Sequence, residues 1–102
     1  MVSISLDELL STYCPGSNDW TWDDEAAYLL SFGCGCHNAP DYAGPTPCPI
    51  AGHYQLNLEA HLRTVGRITQ GVCLGNDGRI WDGHHRIVAA RRLGFTEIPI
   101  ED

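Results

Sequence analysis

The stretch NDGRIWDGHHRIVAARRLGFTEIPI, positions 76–100, restricts the fold more than any other part of the chain. Asn76-Asp77-Gly78 is tight-turn chemistry, set between the strand-like runs GVCL and RIW. From His84 the period changes. On a wheel of about 100° per residue, Ile87, Ala89, Ala90 and Leu93 form one apolar arc, and Gly94 ends it. TEIPI then reads as a strand whose Pro99, lacking an N–H, favours an edge position. A hairpin, a helix and a returning strand follow one another closely, which places the chain in the α+β class with a small mixed sheet.

The rest of the chain supports one domain spanning residues 1–102 with a single modest core. Val2, Ile4 and Leu6 alternate with serines, as in a short half-buried strand. TWDDEAAYLLSFG predicts a helix in which Thr21 and Asp24 form a capping box and Gly33 is the stop. NLEAHLRTVG predicts a second, with Leu58, Leu62 and Val65 on one face and Gly66 as its stop. Between them, CGCHNAPDYAGPTPCPIAGH carries four prolines and no periodicity.

No apolar run approaches the roughly 18–20 residues of a membrane span, and the N-terminus is acidic rather than a basic leader. A cytoplasmic location without membrane attachment is the expectation. Residues 1–62 hold eight acids and no Lys or Arg, whereas residues 63–102 hold six arginines and five acids. With a net charge of −7, the chain is a poor general DNA binder, because phosphate neutralisation needs clustered cations. No tight binding to duplex DNA is expected.

Chemistry concentrates at Asp82-Gly83-His84-His85-Arg86. Arg86 falls inside the apolar arc of the third helix, and an arginine aimed at a core needs a carboxylate or a bound anion. His84 and His85 fall outside that arc, beside Arg91 and Arg92. Gly83 permits close backbone approach, and the first-turn N–H groups add positive potential. Two uses of these groups stand side by side: a phosphate or carboxylate pocket, or a helix start capped by Asp82 with Arg86 paired to Asp82 or Glu97.

These residues resemble the ParB/sulfiredoxin-like fold, often labelled a ParB-like nuclease domain. The likeness runs through Asp77-Gly78, Asp82-Gly83, Arg86, Ala89-Ala90, Leu93-Gly94 and Ile98-Pro99, covering about residues 56–101, and VSISLDELL looks like the family's first strand. Residues 11–55 form a divergent acidic, Cys/Pro/Gly-rich insertion. The resemblance implies a nucleotide site, ATP or CTP with Mg²⁺, whose phosphates rest on Gly83, His84, His85 and Arg86. Where sulfiredoxins carry a nucleophilic cysteine this chain has His84, so sulfinic-acid reduction is not expected. The glutamate of the partition-protein version is also missing.

Cys34, Cys36, His37 and Cys48 lie in the aperiodic segment, and in a reducing compartment such a cluster favours a structural Zn²⁺ over disulfides. Cys73, in a strand-like run, reads as a small core residue. Three functions follow from these features. The first is a nucleotide or phosphate-ligand protein with phosphohydrolase or phosphotransferase activity, in which His84 or His85 moves protons and Asp82 holds Mg²⁺. The second is a ParB-like metal-dependent nuclease using the same groups. The third is a non-enzymatic acidic interaction module, a phage-type accessory factor in the host cytoplasm. There the 17–30 segment would dock a protein partner through Trp20 and Trp22.

Overall fold

The computed structural model describes residues 2–15, 20–31 and 51–101. Four helices and four short strands follow in chain order: β1 (Ser3–Ser5), α1 (Leu6–Thr12), α2 (Trp22–Ser31), α3 (His53–Val65), β2 (Cys73–Leu74), β3 (Ile80–Asp82), α4 (His84–Leu93) and β4 (Glu97–Pro99). The α+β expectation holds. The Gly33 stop and the cluster Cys34, Cys36, His37 and Cys48 lie outside the described residues.

The expected small mixed sheet is instead two antiparallel pairs, β1 with β4 and β2 with β3. They meet through a parallel bridge between Val72 and Ile100, and a second such bridge joins Cys14 to Arg79. Val72 donates its N–H to the Pro99 carbonyl at 2.9 Å and accepts from the Glu101 N–H at 2.8 Å. Pro99 therefore does not lie at an open edge. The pairing with Val72 uses only the Pro99 carbonyl, so its missing N–H is not needed there.

Local signals explain most of the helix boundaries. At α2 the capping box forms in both directions: Thr21 Oγ1 accepts from the Asp24 N–H at 3.1 Å, and the Asp24 carboxylate accepts from the Thr21 N–H at 3.2 Å. Helix α3 starts four residues before the predicted position. Its N-cap is Gly52, in the left-handed region at φ 69°, where a Cβ would stand 2.7 Å from the Leu30 carbonyl oxygen. Close approach of α2 and α3 sets that start, which sequence periodicity alone does not register. Helix α1 grows directly out of β1, so Leu6 begins a helix rather than extending a strand.

Helix α4 lies at the centre of the core. Ile87, Val88, Ala89 and Ala90 are all buried, packed with Leu9, Leu29, Leu62, Val72, Ile80 and Ile98. The two alanines let neighbouring elements come close to the helix backbone, while Ile87 and Val88 fill the volume between them. Trp22, expected as an exposed anchor, is instead core, only 7% exposed, with its Nε1–H donating to the Tyr13 carbonyl at 2.9 Å. Trp20 does remain exposed, and its indole N–H donates to Glu25 at 2.8 Å. Cys73 is half-buried in β2 rather than fully enclosed.

Candidate functional site

The site begins where β3 hands over to α4. Asp82 is the last residue of β3, and Gly83 makes the turn at φ 106°. Two constraints demand glycine there. The backbone is left-handed, and a Cβ would stand 2.5 Å from Val72 Cγ1. The first intrahelical bond runs from the Ile87 N–H to the Gly83 carbonyl at 2.9 Å, and no side chain caps the end. The amides of His84, His85 and Arg86 thus begin the helix without intrahelical acceptors. Capping by Asp82, one of the two sequence alternatives, does not occur; its side chain is 74% exposed.

Arg86 does turn inward, as its place on the wheel predicts, and its side chain is only 18% exposed. Nη1 donates to Gln70 Oε1 at 2.9 Å, and Nη2 pairs with Asp82 Oδ2 at 3.5 Å, the ion pair that the second sequence alternative expected. The latter distance is too long for a strong charge-assisted bond. Nε is buried and has no hydrogen-bond partner among the described residues. The guanidinium therefore keeps donor capacity beside amides that find no acceptor among the described residues. A cavity of about 210 Å³ opens here, lined by Tyr54, Leu58 and Leu62 of α3, by Thr69 and Gln70, and by residues 82–86.

The two histidines part company, and neither is the outward-facing residue that the wheel suggested. His84 directs Nε2 to the Pro15 carbonyl, with its ring centroid 6.3 Å from that of Trp22. It ties the start of α4 to the chain after α1. His85 places Nδ1 2.8 Å from Gln55 Oε1, with the Tyr54 ring edge-on at 4.8 Å between centroids. Burial pushes the His85 imidazole below its ordinary pKa. Glu25 opposes this, and the nearby His84 and Arg86 reinforce it. The ring is therefore neutral at neutral pH.

Gln55 and Glu59 are the site residues that sequence patterning passes over. Both are buried, yet both occupy core-facing positions of α3 beside Leu58 and Leu62. Gln55 Nε2 donates to Glu59 Oε2 and to the His85 carbonyl, each at 3.0 Å. Arg92 Nε donates to both Glu59 oxygens, at 3.0 and 2.9 Å. The available signal was polar residues at i and i+4 within an apolar stripe.

Three arginines of the basic half, Arg79, Arg91 and Arg92, are engaged with carboxylates. Arg79 grips Asp77 through Nε at 2.8 Å and Nη2 at 2.6 Å, and this side-chain hydrogen bonding holds the Asp77 carboxyl below its usual pKa. Arg91 pairs with Asp23 at 2.6 Å, and Arg92 pairs with Glu59. No helix among the described residues is long and apolar enough to cross a membrane. The described residues contain no group of three or more His, Cys, Asp or Glu placed to hold a metal ion. In comparisons with protein-family models, with curated proteins and with solved structures, nothing matches the chain.

Proposed function

We propose that this chain is a ParB/sulfiredoxin-like domain that binds a phosphate-bearing ligand at the start of α4. The amides of His84, His85 and Arg86 and the Arg86 guanidinium would receive the phosphate oxygens. The observation that carries this reading is the Arg86 Nε–H, buried without a partner among the described residues, beside a helix N-terminus that no described side chain caps and that lines a cavity. A buried, unused charged donor is costly unless an anion completes it. The cavity, at about 210 Å³, is smaller than the roughly 300–1,000 Å³ of a typical small-molecule pocket. It suits a phosphate group or the phosphate end of ATP or CTP, with the remainder of a nucleotide reaching outside.

Ion pairing of Arg79, Arg91 and Arg92 with carboxylates favours a small ligand over a DNA duplex, which needs cations open to phosphates. Asp82, exposed at the cavity rim, is the residue available for a phosphate-bound Mg²⁺. A thermal-shift panel of inorganic phosphate, ATP and CTP, with and without Mg²⁺, tests the proposal. Ligand at about a hundred times its Kd stabilises the fold by about 2.7 kcal/mol. Arg86→Ala is expected to keep the fold and lose that shift. No shift with any phosphate compound, or an undiminished shift in Arg86→Ala, refutes the assignment.

A further inference from the structure

We propose that His85 is the hydrogen-bond acceptor of this cavity, that Gln55 is the positioning residue fixing its tautomer, and that the site thereby selects a phosphate carrying its own O–H over a sulfate. The ligand class rests on the phosphate reading above; the geometry rests on a separate line of contacts.

That line begins at Arg92, which has donors only. It delivers Nε–H to both oxygens of Glu59, leaving a buried carboxylate that can only accept. Gln55, fully buried, must meet that carboxylate with its amide nitrogen, and does so at 3.0 Å. Its second N–H goes to the His85 main-chain carbonyl, also at 3.0 Å. Two pure acceptors on one side fix the orientation of the amide, which is otherwise ambiguous by shape. Gln55 Oε1 consequently faces His85 Nδ1 at 2.8 Å. An oxygen there accepts, so Nδ1 must carry the hydrogen.

A neutral imidazole has a single N–H. With that hydrogen on Nδ1, Nε2 is left as a bare lone pair, the reverse of the tautomer that a histidine in water prefers. Nε2 has no hydrogen-bond partner among the described residues. The charged and titratable groups around the ring are Glu25 from α2, Tyr54 and Glu59 from α3, and His84 and Arg86 on α4 itself. Burial is the largest influence and keeps the ring neutral.

The cavity thus offers several donors, from the α4 amides and Arg86, with one neutral acceptor beside them. Monohydrogen phosphate satisfies both kinds at once. Sulfate, of the same shape and charge but without a hydrogen, would set an oxygen lone pair against Nε2. A site built to accept from a ligand O–H discriminates strongly against an analogue that lacks it. Phosphomonoesters, whose second ionisation lies near pH ~6, meet the same requirement in their monoprotonated form.

Two measurements on the full chain decide the matter. Long-range ¹H–¹⁵N correlation of the histidine rings reads the His85 tautomer without any ligand. Calorimetric titration with inorganic phosphate and with sulfate, at neutral pH and matched ionic strength, reads the selectivity. The expected results are an Nδ1–H ring and phosphate binding at least about tenfold tighter than sulfate. In Gln55→Met the ring should revert toward Nε2–H and the phosphate preference should shrink toward unity. Should that variant fail to fold, the wild-type tautomer and anion ratio suffice. An Nε2–H ring in the wild type, or equal affinity for the two anions, overturns the proposal. An Nδ1–H ring in a protein that binds neither anion overturns the ligand class alone and leaves the role of Gln55 standing.

Discussion

Replacing Arg92 by methionine tests the buried polar line where it meets solvent. Methionine keeps the unbranched stem and removes the charge, leaving the Glu59 carboxylate with Gln55 Nε2 as its one remaining side-chain donor among the described residues. Breaking a fully buried pair from one side costs about 3–5 kcal/mol. Glu59 is 5% exposed, but Arg92 is 40% exposed, so water entering at the arginine's place recovers part of that. The expected loss is about 2–3 kcal/mol, or a fall in melting temperature of roughly 10–15 °C for a chain of this size. Urea denaturation followed by tryptophan fluorescence measures it, and an unchanged m-value guards against altered compactness. Adding Glu59→Gln should bring stability back to within about 1 kcal/mol of the wild type, because no buried charge then lacks a partner. If Arg92→Met loses less than about 0.5 kcal/mol, Glu59 is hydrated and the argument from burial fails.

Three further outcomes are expected. Gly83→Ala should lose about 2–3 kcal/mol in chemical denaturation, since φ 106° and the approach of Val72 both oppose a Cβ; a loss near zero would mean that the helix entry re-forms. His85 has a lowered native pKa, so the unfolded chain takes up the proton first as pH falls. Its contribution to stability is therefore whole above about pH 6.5 and disappears as pH drops toward the native value. Urea melts across that range should show stability falling, and His85→Gln should flatten that segment; an identical slope would contradict the assignment. Plain double-stranded DNA should bind no tighter than roughly micromolar at near-physiological salt, and a nanomolar titration would show that the paired arginines can be redirected.

What could be read from the sequence was what depends on neighbours along the chain. The Thr21–Asp24 capping box, the turn at Gly78, the helix from His84 to Leu93 and its Gly94 stop all rest on contacts within a few residues. The start of α3 rests on the approach of Gly52 to Leu30 across space, which no local pattern encodes. Trp22, beside two aspartates, reads as surface until Tyr13 and the core are folded against it. Gln55 and Glu59 break the apolar stripe of α3 for partners 30 and 33 residues away, His85 and Arg92. Polar residues at core positions make sense only once those partners are in place.

The histidine pair shows how packing divides labour between two like side chains. A single-helix wheel puts His84 and His85 together on the outer side of α4, next to Arg91 and Arg92. In the fold that side is not open, because α2 and α3 both pack against α4. Adjacent residues on a helix point about 100° apart, so one ring meets the chain after α1 and the other meets α3. His84 is taken up in holding the helix start to the Pro15 carbonyl. His85 has Nδ1 fixed by Gln55 and lines the cavity. The neighbouring residues 87–90 are buried and hold the helix axis, while Gly83 seated on Val72 holds its first turn. Amides, guanidinium and imidazole are thereby presented from a rigid core element rather than from a loop. Such support is what a site needs to discriminate between anions that differ by one hydrogen.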